Sequence, residues 1–90
     1  MRIRERLLGV QKMRGYGSFE EMARGESQRL DEQIPAGTLY SYMTNLEKHR
    51  RRPLSPESIV LISRICDIPI ETVVMDMVAD ARESSAKVLA

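Results

Sequence analysis

Ninety residues, 42% hydrophobic and 30% charged, suffice for one small folded domain and exclude two independent cores or a wholly disordered chain. The net charge of +1 announces no partner by itself, but its distribution is uneven: residues 1–52 carry 11 basic against 7 acidic side chains, and residues 53–90 carry 3 against 6. One cationic and one anionic half are expected if a single surface faces phosphate. No apolar run approaches the roughly 20 residues of a bilayer span, and no signal-type core follows Met1-Arg2-Ile3-Arg4-Glu5-Arg6, so the protein is expected to remain where it is made. The single cysteine, Cys66, sits in an apolar run and reads as a small buried hydrophobe in a reducing compartment.

Ile3, Leu7 and Leu8, with Val10 and Met13, recur at helical spacing and predict a first amphipathic helix, broken at Gly15-Tyr16-Gly17. Ser18-Phe19-Glu20-Glu21 has the Ser-x-x-Glu form of a capping box, so a second helix starts there with Phe19, Met22 and Ala23 inward. Its end is open between two readings: the helix runs on through Gly25 toward Glu32, or an inserted loop begins near Gly25 with the polar run Glu26-Ser27-Gln28-Arg29. Ile34-Pro35 forces extended backbone and then admits a third helix from Pro35 or Ala36, over 35–49, ending among the arginines.

Pro53-Leu54 connects to Ser55-Pro56-Glu57, which joins a hydroxyl cap, a first-turn proline and an acid at the positive dipole end. Ile59, Ile62, Ile65 and Cys66, flanked by Val60 and Leu61, predict the most buried helix, stopped by Asp67-Ile68-Pro69. A fifth helix carries Ile70, Val73, Val74, Met77, Val78 and Ala81 at helical offsets, and residues 84–90 form a frayed tail or a short extension beyond a domain of residues 1–83. No sustained strand alternation, internal repeat or low-complexity segment is visible.

The third helix carries the chemistry. Leu39, Met43 and Leu46 fall on one side with Tyr42 flanking, while Gly37, Ser41, Thr44, Asn45 and Lys48 gather on the other. A solvated helix face ordinarily carries Glu and Lys; short hydroxyl and amide side chains instead permit close approach to base edges, and His49-Arg50-Arg51-Arg52 adds a cationic end for backbone phosphates.

These residues resemble the helix-turn-helix family of the Cro and lambda-repressor type, often labelled XRE, over Ser18 to about Val74. Glu20-Glu21-Met22-Ala23 looks like the start of that family's second helix, Thr38-Leu39-Tyr40-Ser41-Tyr42-Met43 like its recognition helix, and Ser55 to Val74 like its closing helix pair. The resemblance implies an all-α, five-helix domain, from which this chain departs in a lengthened segment between the second and third helices, about ten residues longer than a tight turn. The register is open: Leu39 and Tyr42 point inward if Thr38-Leu39 begins the match, Met43 and Leu46 if it is counted back from Pro53, and Ile34-Pro35 favours the first.

It further implies a sequence-specific transcription regulator, a phage or bacterial repressor, acting as a homodimer on double-stranded DNA in the cytoplasm, at the nucleoid, with the third helix in the major groove. Gly37, Thr38, Tyr40, Ser41, Thr44 and Asn45 are then expected to face bases or nearby phosphates, and Lys48, Arg50, Arg51 and Arg52 the backbone. Fifth-helix apolar positions Val74, Met75, Met77, Val78, Val88 and Leu89 are available for self-association. The alternative is a helical module that binds another protein through helix 70–83 and the tail. No enzyme, metal, cofactor or small-molecule ligand is expected: His49 has no second histidine, Ser18 has no base, and Gly15-Tyr16-Gly17 lacks the spacing of a phosphate loop.

Overall fold

The computed structural model describes residues 2–44 and 54–89. Within them the chain is all-α: α1 (Ile3–Met13), α2 (Phe19–Leu30), α3 (Ala36–Thr44), α4 (Pro56–Cys66) and α5 (Ile70–Leu89). α2 packs chiefly on α3 and α4 on α5, while α1 touches α3, α4 and α5 and so closes the bundle. Their shared core is aliphatic: Leu7, Met22, Leu39, Ile62, Ile65 and Val73 are completely or almost completely buried. On α1 the inward stripe is Ile3, Leu7 and Val10; Met13, expected to join it, lies past the end of the neighbouring core and is 75% exposed. No helix among the described residues is long and apolar enough to cross a membrane.

Local chemistry sets the boundaries. Gly15 supplies a positive φ of 74° at the α1–α2 turn. The Ser18 hydroxyl accepts the Glu21 amide at 3.1 Å, and the Glu21 carboxylate reaches back to the amide of Gly17 at 2.8 Å, one residue earlier than a capping box predicts. Ser55 caps α4 by accepting the Ser58 amide at 3.2 Å.

Of the two readings of residues 24–34, α2 continues through Gly25 to Leu30, leaving a five-residue connector of residues 31–35. The lengthening expected between the second and third helices therefore lies mostly within α2. At the other end, residues 84–89 continue α5 as helix, the extension rather than the frayed tail.

One turn is used twice. Asp31 ends α2 and Asp67 ends α4, both left-handed (φ 52° and 54°), a conformation that aspartate tolerates better than most residues. The amides of Glu32 and Ile68 then return to the carbonyls of Ser27 and Ser63, each at 3.1 Å. Ile34-Pro35 and Ile68-Pro69 enter the next helices, and the amides of Thr38 and Thr72 close the first turns on Pro35 and Pro69, both at 3.0 Å. Leu39 and Val73 follow as buried anchors. Residues 34–39 and 68–73 thus share the pattern Ile-Pro-x-x-Thr-Leu/Val, a short repeat where none was expected from the sequence.

Arginines join the helices. Arg29, near the end of α2, donates to the carbonyls of Arg64 and Ile65 at 3.0 and 3.1 Å, and Arg64 returns a hydrogen bond to the Leu30 carbonyl at 2.9 Å. Each helix's terminal carbonyls are therefore capped by a guanidinium of the other, which also complements the negative end of each helix dipole. Arg14 adds a bond to the Ile65 carbonyl at 2.9 Å.

The charge asymmetry has an internal use as well. Arg6 pairs with the buried Asp76 and Arg2 lies 3.5 Å from Asp80, so one turn on α1 matches one turn on α5. Arg14 and Arg29 neutralise Glu26. Of the basic side chains in residues 1–52, Arg2 and Arg6 are therefore directed at acids of the second half within the fold, while Lys48, Arg50, Arg51 and Arg52 lie outside the described residues.

Candidate nucleic-acid interface

Leu39 pins α3 to the core at 1% exposure, with Tyr42 half-buried, as the register from Ile34-Pro35 expects, while the Met43 side chain and Leu46, on which the other register rests, lie outside the described residues. That anchoring turns Gly37, Tyr40 and Ser41 outward, all exposed, while Thr38 is half-buried where α3 begins. A position three or four residues along a helix shares its face, so Gly37, Tyr40 and Ser41 form one continuous patch.

Tyr40 is held against α2. Its ring meets Phe19 edge-on, with centroids 4.9 Å apart, and its hydroxyl donates to Glu20 at 3.3 Å. It therefore belongs to the α2–α3 seam as much as to the outward patch. Thr44 continues α3 in backbone, but its side chain and all of Asn45, Lys48, His49, Arg50, Arg51 and Arg52 lie outside the described residues. The structure thus brings together four of the ten expected contact residues: Gly37, Thr38, Tyr40 and Ser41.

A groove of about 450 Å³ runs between α2 and the start of α3. Buried Ala23 and Ile34 and half-buried Ala36 form its apolar part, and the exposed side chains of Glu20, Arg24 and Gln28 border it. Arg24 and Gln28 flank the same end of α3 as Gly37 and were missed in the sequence because residues 24–34 had no settled helical phase. Once α2 runs through Gly25, Glu20, Arg24 and Gln28 follow at steps of four and share a face.

Behind this surface lies the Glu26 network. Glu26 is fully buried and is held by Arg14, by the Tyr16 hydroxyl at 2.8 Å and by Arg29 Nη2 at 2.8 Å. Burial alone would raise its carboxyl, but hydrogen bonds from Arg29 and Tyr16 and the charges of Arg14 and Arg29 outweigh it and hold the group below the usual range. The Tyr16 hydroxyl is pushed up by burial and by that same carboxylate. Every partner of Glu26 is directed at structure, so the cluster fixes α2 against α1 and α4 and thereby the platform that carries α3.

Among the described residues, no group of histidine, cysteine and acidic side chains is arranged to hold a metal ion. Cys66 is half-buried, and burial pushes its thiol up to about 11, against a nucleophilic role. The chain matches no protein-family model, no curated protein and no solved structure. Its class is that of an all-α, five-helix domain over the described residues.

Proposed function

We propose that this chain is a sequence-specific, double-stranded-DNA-binding transcription regulator of the helix-turn-helix type, a phage or bacterial repressor that lays α3 in the major groove. The observation that carries the reading is the division of α3: Leu39 and Tyr42 hold it inward, and Gly37 and Ser41 leave a close-approach face outward. A helix whose outer face is short and polar can bring backbone and hydroxyl groups to base edges that long charged side chains would hold at a distance. Arg24 and Gln28 on α2 border the groove at the start of α3, and in this reading they supply phosphate or sugar contacts. The basic run from Lys48 to Arg52 follows α3 in sequence and supplies the main counter-charge for the phosphate backbone.

Retardation of mixed genomic duplex fragments at low salt tests the reading. The regulator retards a subset of fragments and loses about one unit of salt slope for each phosphate contact removed by Arg50→Ala, Arg51→Ala and Arg52→Ala. Absence of any retarded fragment overturns it.

A further inference from the structure

The two helix pairs that share the Ile-Pro turn differ in the side chains beside it. Ser27 and Ser63 hold equivalent places near the ends of α2 and α4, so Ala23 corresponds to Ile59 and Arg24 to Val60, and past the turns Ala36 corresponds to Ile70. The same turn is thus compatible with a branched side chain on either side of it. The groove beside Ala23, Ile34 and Ama36 is a property of two alanines and not a requirement of the turn. At about 450 Å³ it falls within the range of small-molecule sites, about 300–1,000 Å³.

Its rim is polar and of both signs. Glu20, Arg24 and Gln28 stand one turn apart along α2, and all three are exposed. Glu20 accepts the Tyr40 hydroxyl at 3.3 Å through Oε1 alone. An acid four residues before a base on a helix ordinarily pairs with it, yet among the described residues Arg24 forms no ion pair.

We propose that this groove binds a free aliphatic α-amino acid. The branched side chain lies over Ala23, Ile34 and Ala36 and supplies the methyl groups that Ile59 and Ile70 carry at the equivalent positions of the other helix pair. The carboxylate accepts from the Arg24 guanidinium and the Gln28 amide, and the ammonium donates to Glu20. One acid and one base with about 5 to 6 Å between Cβ atoms match a zwitterion whose two charged groups share one carbon, whereas a simple carboxylic acid or amine satisfies only one of them. No small-molecule ligand is expected from the sequence, because the groove exists only once α2 runs through Gly25. The binding needs no nucleic acid and stands apart from the DNA reading; where that reading gives Arg24 to a phosphate, the amino acid and the duplex compete for it.

Titration of the full chain with L-leucine, without DNA and followed by NMR amide shifts, tests it. L-leucine binds with a Kd of about 0.1 mM, and isocaproate, which lacks the ammonium, and isoamylamine, which lacks the carboxylate, each bind at least about tenfold more weakly. Arg24→Ala weakens L-leucine about tenfold and leaves isoamylamine unchanged, while Glu20→Gln weakens L-leucine about tenfold and leaves isocaproate unchanged, a pairing of variant with ligand group that a merely structural effect would not produce. Both side chains are exposed, so these variants melt with the parent. Ala36→Ile gives α3 the side chain that Ile70 gives α5 and abolishes binding. Absence of binding at about 10 mM L-leucine, equal affinity for isocaproate, or unchanged affinity in Arg24→Ala each overturns the proposal, as does binding that persists in a folded Ala36→Ile.

Discussion

The ring of Tyr16 fills the space that a side chain at Gly25 would need: a Cβ added to Gly25 would lie 2.4 Å from Tyr16 Cε1 and 2.5 Å from its hydroxyl oxygen. The hydroxyl is anchored by donation to Glu26, the next residue on α2. Glycine in mid-helix, ordinarily a weakness, is here the condition for an aromatic ring to lie against the helix backbone and reach a buried carboxylate.

Gly25→Ala therefore destabilises the protein although alanine is the better helix former. Its propensity gain of about 1 kcal/mol is set against displacement of the ring and loss of a hydrogen bond to a charged acceptor, about 2 kcal/mol, for a net loss of about 1 kcal/mol. In a Tyr16→Ala background, where both the ring and its hydrogen bond are already gone, the same substitution recovers the helix-propensity gain of about 1 kcal/mol. Urea melts of the four proteins measure the coupling, and additive effects would contradict it.

Glu26→Gln leaves the Arg14 and Arg29 guanidinium groups without their buried counter-charge. Because both arginines keep some solvent contact, the loss is expected at about 2 to 3 kcal/mol, a drop in Tm of about 10 °C or more for a domain of this size. Circular-dichroism melts give the value directly.

The same carboxylate sets an acid limit. Its folded pKa is held below its unfolded value, near 4.3, so its contribution is complete above that range and drains away as pH falls through the folded value. Asp80, raised by burial, works with the opposite sign: its ionisation lowers stability, and protonation relieves that. Melts between about pH 2 and pH 7 therefore show stability falling below about pH 4 in the parent and a shallower fall in Glu26→Gln.

Cys66 should resist alkylation. With the thiol pushed up to about 11, its thiolate fraction at pH 8 is about a hundredfold below that of a thiol of ordinary pKa, and iodoacetamide labelling slows at least in proportion. Denaturant restores the ordinary rate. Fast labelling of the folded protein would place the thiol outside the packing described.

The five helices were legible because their signals are local: Ser18 and Ser55 as caps, Gly15 as a break, and Ile-Pro pairs before α3 and α5. The course of α2 past Gly25 was not, because the reason for a glycine there is Tyr16, nine residues away and folded back on it. Glu26 read as part of a polar run, since only the fold brings Arg14 and Arg29 around it. Asp76 sits among apolar neighbours in α5 and is matched by Arg6, 70 residues earlier, a pairing that periodicity does not register.

For the candidate site, the orientation of α3 could be read from Leu39 and Tyr42 against Gly37 and Ser41, because period 3.6 separates the two faces. Arg24 and Gln28 could be added only once α2 was continuous. Composition did not show that Arg2 and Arg6, part of the basic bias of the first half, pair with Asp80 and Asp76 of the second.

Titration of a labelled duplex, recovered by selection from a random pool, with the parent chain and with Ser41→Glu tests the account most directly. Ser41 is exposed and glutamate is a good helix former, so the fold and its melting temperature are unchanged, while a carboxylate at the groove weakens binding about a hundredfold. Equal affinity of the two proteins, or failure of the parent to enrich any duplex, would contradict the assignment of α3 to DNA.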